Sequence, residues 1–378
     1  MRHEYLLAQT DWSAVEHAYT GMADVPHTSE ILTALLSDDA ARQAGALGDL
    51  YGVVHHQDTI YSATAPALDF VVAVLDDPRT LTPVPADKGS RTPWVPLRAA
   101  LLDWLTSVME AAAVSGDWAP GQPAAIAACR AARPRVYRAA CAMRTDPDPA
   151  VVCAALGTLA CLLDAPELAH HRPEAGIWLR DHALVSADRR TRVLAVMTLA
   201  SWAYDTAPVL QNDPDPVVRA TAALSPTHAA KPAGTRALLE VISAPADATW
   251  CQQVFPHFGR IFPFKLLPAA IDRAPLDELV TALAVLLADA PEGTYAGDWG
   301  ARLRTKAFPD GFPPSEAPNP AQRALLTVLS EHCFGPAAPP IWFATDARMA
   351  LSDLVPEGAV FKRGATSRWS PGWATPPG

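Results

Sequence analysis

The chain has 378 residues, half of them apolar and 19% charged, with a net charge of −10 at neutral pH. The apolar share is ample for a large core and wrong for a disordered chain. The negative balance speaks against non-specific grip on a nucleic-acid duplex, which needs a cationic surface to neutralise phosphates, and favours a basic partner.

The first nine residues carry Glu4, and Asp11 arrives before any signal-like apolar run develops. The longest apolar segment, 279–288, is far shorter than a bilayer span, so a cytoplasmic location with no membrane partner is expected. Residues 12–19 read as a short opening helix capped by Asp11. A helix over 28–36 follows, capped by Thr28 or Ser29, and Asp38 starts its partner, which runs to about Val53. His55-His56-Gln57-Asp58, with Tyr61, forms a polar turn. The helix after it, 63–75, sets Ala67, Phe70, Val71 and Val74 on one side. Residues 79–96 read as a loop, because Pro83, Pro85, Pro93 and Pro96 rule out a regular element.

A long amphipathic helix over 97–114 bears Leu101, Leu102, Trp104, Leu105 and Val108, and ends at Gly116 and Pro120. Residues 123–143 are helical on both sides of Pro134, which should kink the helix or split it in two, since proline deletes one bond and clashes with the preceding turn. Asp148 caps the next helix, with Val151, Ala155, Leu159 and Leu162 inside. Residues 173–184 form an outer helix, and its partner from Asp188 buries Val193, Val196, Met197 and Ala200. Helices at 215–224 and 235–242 complete the regular part, giving a repeat section over 1–245. In the irregular section 246–378, which holds 17 of the 37 prolines from Pro256 onward, only 276–288 and 320–333 read as full helices. The second has Asn319 as cap and Pro320 at its first position. Residues 346–354 are a shorter candidate. The tail from Val355 is expected to be mobile, with Trp369 and Trp373 available to dock.

One helix start recurs. In Asp213-Pro214-Asp215-Pro216-Val217-Val218-Arg219, Asp215 can accept from free N–H groups of the first turn, and Pro216 falls where its missing N–H costs nothing. Related starts occur at 37–47, 146–156 and 186–196. Aligned, they put caps at Asp38, Asp148, Asp188 and Asp215, and Arg42, Arg192 and Arg219 in one column that Val152 interrupts. The turn aspartate, Val218-Arg219, the small pair Ala222-Ala223 and Leu224 resemble HEAT repeats, of the short bacterial kind related to phycobilin-lyase-type repeats. The resemblance covers 150–230 and 27–76. It implies an all-α, right-handed α-solenoid of five to six helical pairs with a less regular, Pro-rich helical C-terminal section, and an Asp–Arg ladder between neighbouring repeats. It leaves function open.

Two clusters have functional chemistry. In the turn His55-His56-Gln57-Asp58, adjacent histidines project in different directions and make a poor metal chelate. The turn reads as a solvated connection with one histidine at a helix end, or as a partner contact. His170-His171 takes the same two readings. In the acid-free stretch 118–145, Arg130, Arg133, Arg135, Arg138 and Arg144 surround Tyr137. This positive island either holds phosphates, with Tyr137 stacking on a base, or answers aspartates of adjacent repeats. The phosphate reading brings in a HEAT-like family, the alkylpurine DNA glycosylases, which use a basic groove, tryptophans and a catalytic aspartate. Trp104, Trp178 and Trp202 supply ingredients, but no aspartate matches that family's motif. Asp38-Asp39 and Asp76-Asp77 are acid pairs at helix ends, where carboxylates cap. The six cysteines show neither CxxC nor Cys–His metal spacing and read as core residues in a reducing compartment. With no nucleophile elbow, Walker loop, HExxH or dinucleotide turn, neither a catalytic residue nor a metal or cofactor is expected. The sequence therefore predicts an adaptor whose concave face grips a basic protein, with nucleic-acid binding through the island as the alternative and a structural subunit docked by Trp369 and Trp373 as a third reading.

Overall fold

The computed structural model describes residues 2–85, 94–114, 121–244, 246–247, 250, 262–288, 298–334 and 346–354. The tail from Val355, with Trp369 and Trp373, lies outside them. Among the described residues the chain is mainly helical, with one two-stranded ribbon. It divides into two units, Met1–Trp202 and Ala203–Gly378, earlier than the change of sequence texture near 245.

The first unit begins with α1 (Arg2–Gln9), not with the expected helix at 12–19. Asp11 instead closes a local turn by accepting from the N–H and hydroxyl of Ser13, a competition with helix that short acidic side chains often win. Next come α2 (Thr28–Ala34) and α3 (Ala40–Asp49), the latter prolonged by the π turn Leu50–Val54. The α2 cap is His27 rather than Thr28 or Ser29, with the Glu30 carboxylate accepting from the His27 N–H. After α4 (Thr64–Val74) the expected loop carries a small ribbon. β1 (Pro83–Pro85) pairs antiparallel with β2 (Trp94–Pro96), Val84 opposite Val95 and both buried. Proline is tolerated in edge strands, and both strands here are edges.

The helices α5 (Leu97–Ala113), α6 (Pro123–Ala142), α7 (Pro149–Leu163), α8 (Arg172–Trp178, prolonged by the π turn Leu179–Ala183) and α9 (Arg189–Ser201) follow. Pro134 leaves α6 a single helix, neither split nor interrupted. It is exposed, so solvent can satisfy the carbonyl that its missing N–H would have served. In packing, α5 meets α6 and α7, α6 meets α4 and α7, and α7 meets α9. Helix α7, which meets α5, buries the small residues Ala154, Ala155 and Gly157. There Thr158 bonds Thr106 at 3.0 Å and the Leu102 carbonyl at 3.2 Å, all within the core. Arg98 at the start of α5 reaches Asp146 ahead of α7 at 2.8 Å, with little of either side chain exposed.

The second unit holds α10 (Ala207–Asn212), α11 (Pro216–Ala223), α12 (Pro232–Ile242), α13 (Phe262–Arg273), α14 (Leu276–Ala288), α15 (Trp299–Ala307), α16 (Pro320–Val328, prolonged by Leu329–Cys333) and α17 (Asp346–Leu351). The sequence missed α10, α13 and α15, which are short or rich in proline and polar residues. Buried His228 ties the turn before α12 to Thr206 through a 3.1 Å bond, and Lys231 lies 3.2 Å from its other nitrogen. Burial, then the neighbouring Lys231 cation, holds its pKa below the ordinary histidine value. Arg273 of α13 donates to the Ala223 carbonyl at the end of α11. A Cβ at Gly300 would collide with the Ala347 backbone, so glycine is what lets α15 and α17 touch.

Candidate functional site

The repeated starts share a structure that their sequences only partly disclosed. The caps Asp148, Asp188 and Asp215 accept from the N–H of Ala150, Thr191 and Val217 at 2.7–3.0 Å. In the first copy the cap is Asp39, not Asp38, and it accepts from Ala41. Each cap N–H in turn donates to a side-chain oxygen two residues earlier: Ser37, Asp146, Ser186 or Asp213. That common oxygen fixes the register and moves Arg42 out of the arginine column. Its place is taken by fully buried Gln43, whose amide donates to the Leu35 and Arg79 carbonyls at 3.0 Å. Arg192 and Arg219 reach back to their own turns. Arg192 donates to the carbonyls of Ser186 and Ala187, and Arg219 to those of Asp213 and Pro214. Arg219 also forks onto the Glu240 carboxylate at 2.7 and 2.8 Å.

The histidine turn is not the solvated connection expected for all four of its residues. His55 is 1% exposed. Its Nδ1 faces the Thr59 carbonyl at 3.2 Å, which can only accept, so that nitrogen carries the proton. Nε2 lies 3.1 Å from the Ser107 hydroxyl, and that hydroxyl is in reach of Asp58 Oδ1, which can accept from it at 3.4 Å. Ser107 is itself buried in α5, and the His55 ring meets Trp104 edge-on. His56 packs against Tyr19 and faces the Gly52 carbonyl. Gln57 and Asp58 are exposed on left-handed backbone, φ +51° and +61°, a conformation that costs about 1–2 kcal/mol per L residue. Tyr61 is half-buried, and its N–H donates to Thr64. Gly121 closes the turn from outside: at φ +137° it lies so near Ile60 that any Cβ would strike the Ile60 backbone.

The arginine-rich helix α6 distributes its charges. Arg130 donates to the Ala112 and Val114 carbonyls at the end of α5. Arg133, 9% exposed, pairs with Glu167 at 2.8 Å, and that bond holds the Glu167 carboxyl below its ordinary value. Arg135 reaches Asp69 of α4 at 2.6 Å. Arg144 lies over the Trp178 ring and 3.7 Å from Glu174. Arg138 is exposed and makes no ion pair or hydrogen bond among the described residues. Tyr137 stacks on His171 at 4.5 Å, which sits beside His170, and burial pushes the tyrosine hydroxyl up. Of the tryptophans, Trp104 is fully buried and cannot line a groove. Trp202 packs under Arg172 and donates to Asp164. Burial, the first cause for each, lifts the thiols of Cys129 and Cys153 to about 12.

No group of three or more potential metal ligands occurs among the described residues, and no described helix is long and apolar enough to cross a membrane. No family model matches the chain, and no curated protein matches it.

Proposed function

We propose that the chain is a non-catalytic adaptor, a right-handed stack of HEAT-like helical pairs whose concave face holds a basic protein and neutralises or positions it. The observation that carries this reading over nucleic-acid binding is the state of the α6 arginines. Arg133 and Arg135 already answer Glu167 and Asp69, Arg144 lies near Glu174, and Arg130 is spent on the α5 carbonyls. The carboxylates offset three of these charges, the carbonyls occupy donors of the fourth, and the −10 background opposes a polyanion. The stacked-pair arrangement is supported by the meeting of α4 with α6, α5 with α7 and α7 with α9, and by the four equivalent turns. Stacks of this kind create extended concave binding surfaces.

The test combines two measurements. Capture from native lysate after nuclease treatment should retain basic proteins, and a labelled duplex or single strand should show no shift at physiological salt. A tight shift that weakens steeply with salt and disappears in Arg138→Glu would overturn the adaptor reading. Arg138 is the informative site, because reversal at Arg135 would place a second carboxylate against Asp69 and confound binding with stability.

A further inference from the structure

Between α1, the end of α4 and the end of α6 lies a groove of about 870 Å³. Its apolar wall includes Leu75, Pro78 and Met143, and its polar groups come from α1 and from the turn after α4. Two of those groups cancel. Asp77 grips Arg79 through both carboxylate oxygens, at 2.9 and 2.8 Å, and Arg79 also donates to the Leu36 carbonyl. Glu4 is held below its ordinary value chiefly by the chain's amino group. Two others remain open. Asp76 is exposed and has neither a hydrogen bond nor an ion pair among the described residues. His3 is only 6% exposed, rests edge-on against Phe70, and has no hydrogen-bond partner among the described residues although it lines the groove. Its ring nitrogens are not among the buried polar atoms left without a partner, so they keep contact with solvent at the groove. The helices α4 and α6 also both end here, at Val74 and Ala142, and helix C-termini carry partial negative charge. The groove thus offers a carboxylate, an imidazole without a partner and two negative helix ends above an apolar floor.

We propose that this groove is the docking point for the basic partner, receiving an arginine or lysine side chain whose cationic head meets Asp76 and His3 while its aliphatic stem and an adjacent apolar residue lie along Leu75 and Met143. The inference rests on the adaptor reading and adds to it the place and the side-chain chemistry of recognition. The apolar wall suits the long methylene stems of both basic residues.

The experiment uses the full chain and fluorescence anisotropy with two short labelled peptides, one alternating arginine with leucine and one alternating glutamate with leucine. The unmodified protein should bind the first and not the second. Asp76→Lys should weaken the arginine peptide about tenfold or more by placing a like charge in the groove. His3→Leu, which keeps the apolar contact with Phe70, should weaken it between about twofold and tenfold by removing one acceptor. Glu316→Lys, the same charge change on an exposed site of the second unit, should leave binding intact, and far-UV circular dichroism should show each variant folded. Equal binding by Asp76→Lys and Glu316→Lys would overturn the groove while the preference for arginine over glutamate preserved the basic-partner reading. Loss of that preference in the unmodified protein would overturn both.

Discussion

Single residues carry the most precise expectations. Asp39 rather than Asp38 accepts from the first turn of α3, so Asp39→Ala should cost about 1 kcal/mol as an N-cap loss, while exposed Asp38→Ala should stay near zero. Urea midpoints of the two variants decide it, and equal shifts would contradict the geometry. The information for this was in the chain: Ser37-x-Asp39 matches Asp146-x-Asp148, Ser186-x-Asp188 and Asp213-x-Asp215. Alignment on the first acid of Asp38-Asp39 hid it, because either carboxylate satisfies a cap preference and only the oxygen two residues earlier distinguishes them. Asp77 gives a pH expectation. Its bond to Arg79 depresses the carboxyl from 3.8 to about 2, so its stabilising contribution is complete above the ordinary value and is lost as pH falls from there towards 2. The urea midpoint of the unmodified protein should therefore drop between pH 6 and pH 2.5 by more than that of Asp77→Asn. An equal drop would remove Asp77 from the acid response.

At the scale of elements, the pairing of Arg98 on α5 with Asp146 ahead of α7 joins two core helices through an ion pair with little exposure. Truncating one member of such a pair leaves the other charge desolvated, and Arg98→Ala should cost about 3 kcal/mol. The double variant Arg98→Ala/Asp146→Asn should recover part of that in a denaturant titration; no recovery would mean that lost packing of the arginine stem dominates. Long elements were legible where their physics is local. The ranges of α5 and α7 follow from their apolar spacing and from Asp148, whose cap position the sequence states outright. Illegible were features decided by distant contacts. The β1–β2 ribbon exists although prolines flank its centre, because Val84 and Val95 find a core between α3 and α5. His55 looks polar beside His56, Gln57 and Asp58, yet the π turn carries it inward to Ser107, a residue 52 positions away.

For the molecule as a whole, a predominantly helical far-UV spectrum follows from the described elements. The cysteines offer a sharper check. Cys129 and Cys153 are buried, with thiols at about 12, and burial raises Cys161 as well. Since the thiolate is the reactive form, iodoacetamide at pH 8 should leave all three unmodified in native protein and label them in urea, as read by mass spectrometry. Rapid native labelling would mean that the core of the first unit opens readily. The helical class was legible in composition and periodicity, because many short amphipathic segments with caps admit few other solutions. The groove beside α1 was not. His3 and Asp76 stand 73 positions apart, and α1 itself was misplaced, so no local pattern could bring them together.

The reach of Arg192 and Arg219 back onto the carbonyls of their own turns has a consequence for how such a chain can change. The carbonyls of that closure lie within seven consecutive residues, Ser186 to Arg192 in one case and Asp213 to Arg219 in the other, with the Arg219 bond to Glu240 added from outside. A heptapeptide that closes its own corner is portable: the backbone turn can be copied, transplanted or inherited as a cassette. Gln43, which spans from Leu35 to Arg79, cannot be moved in that way.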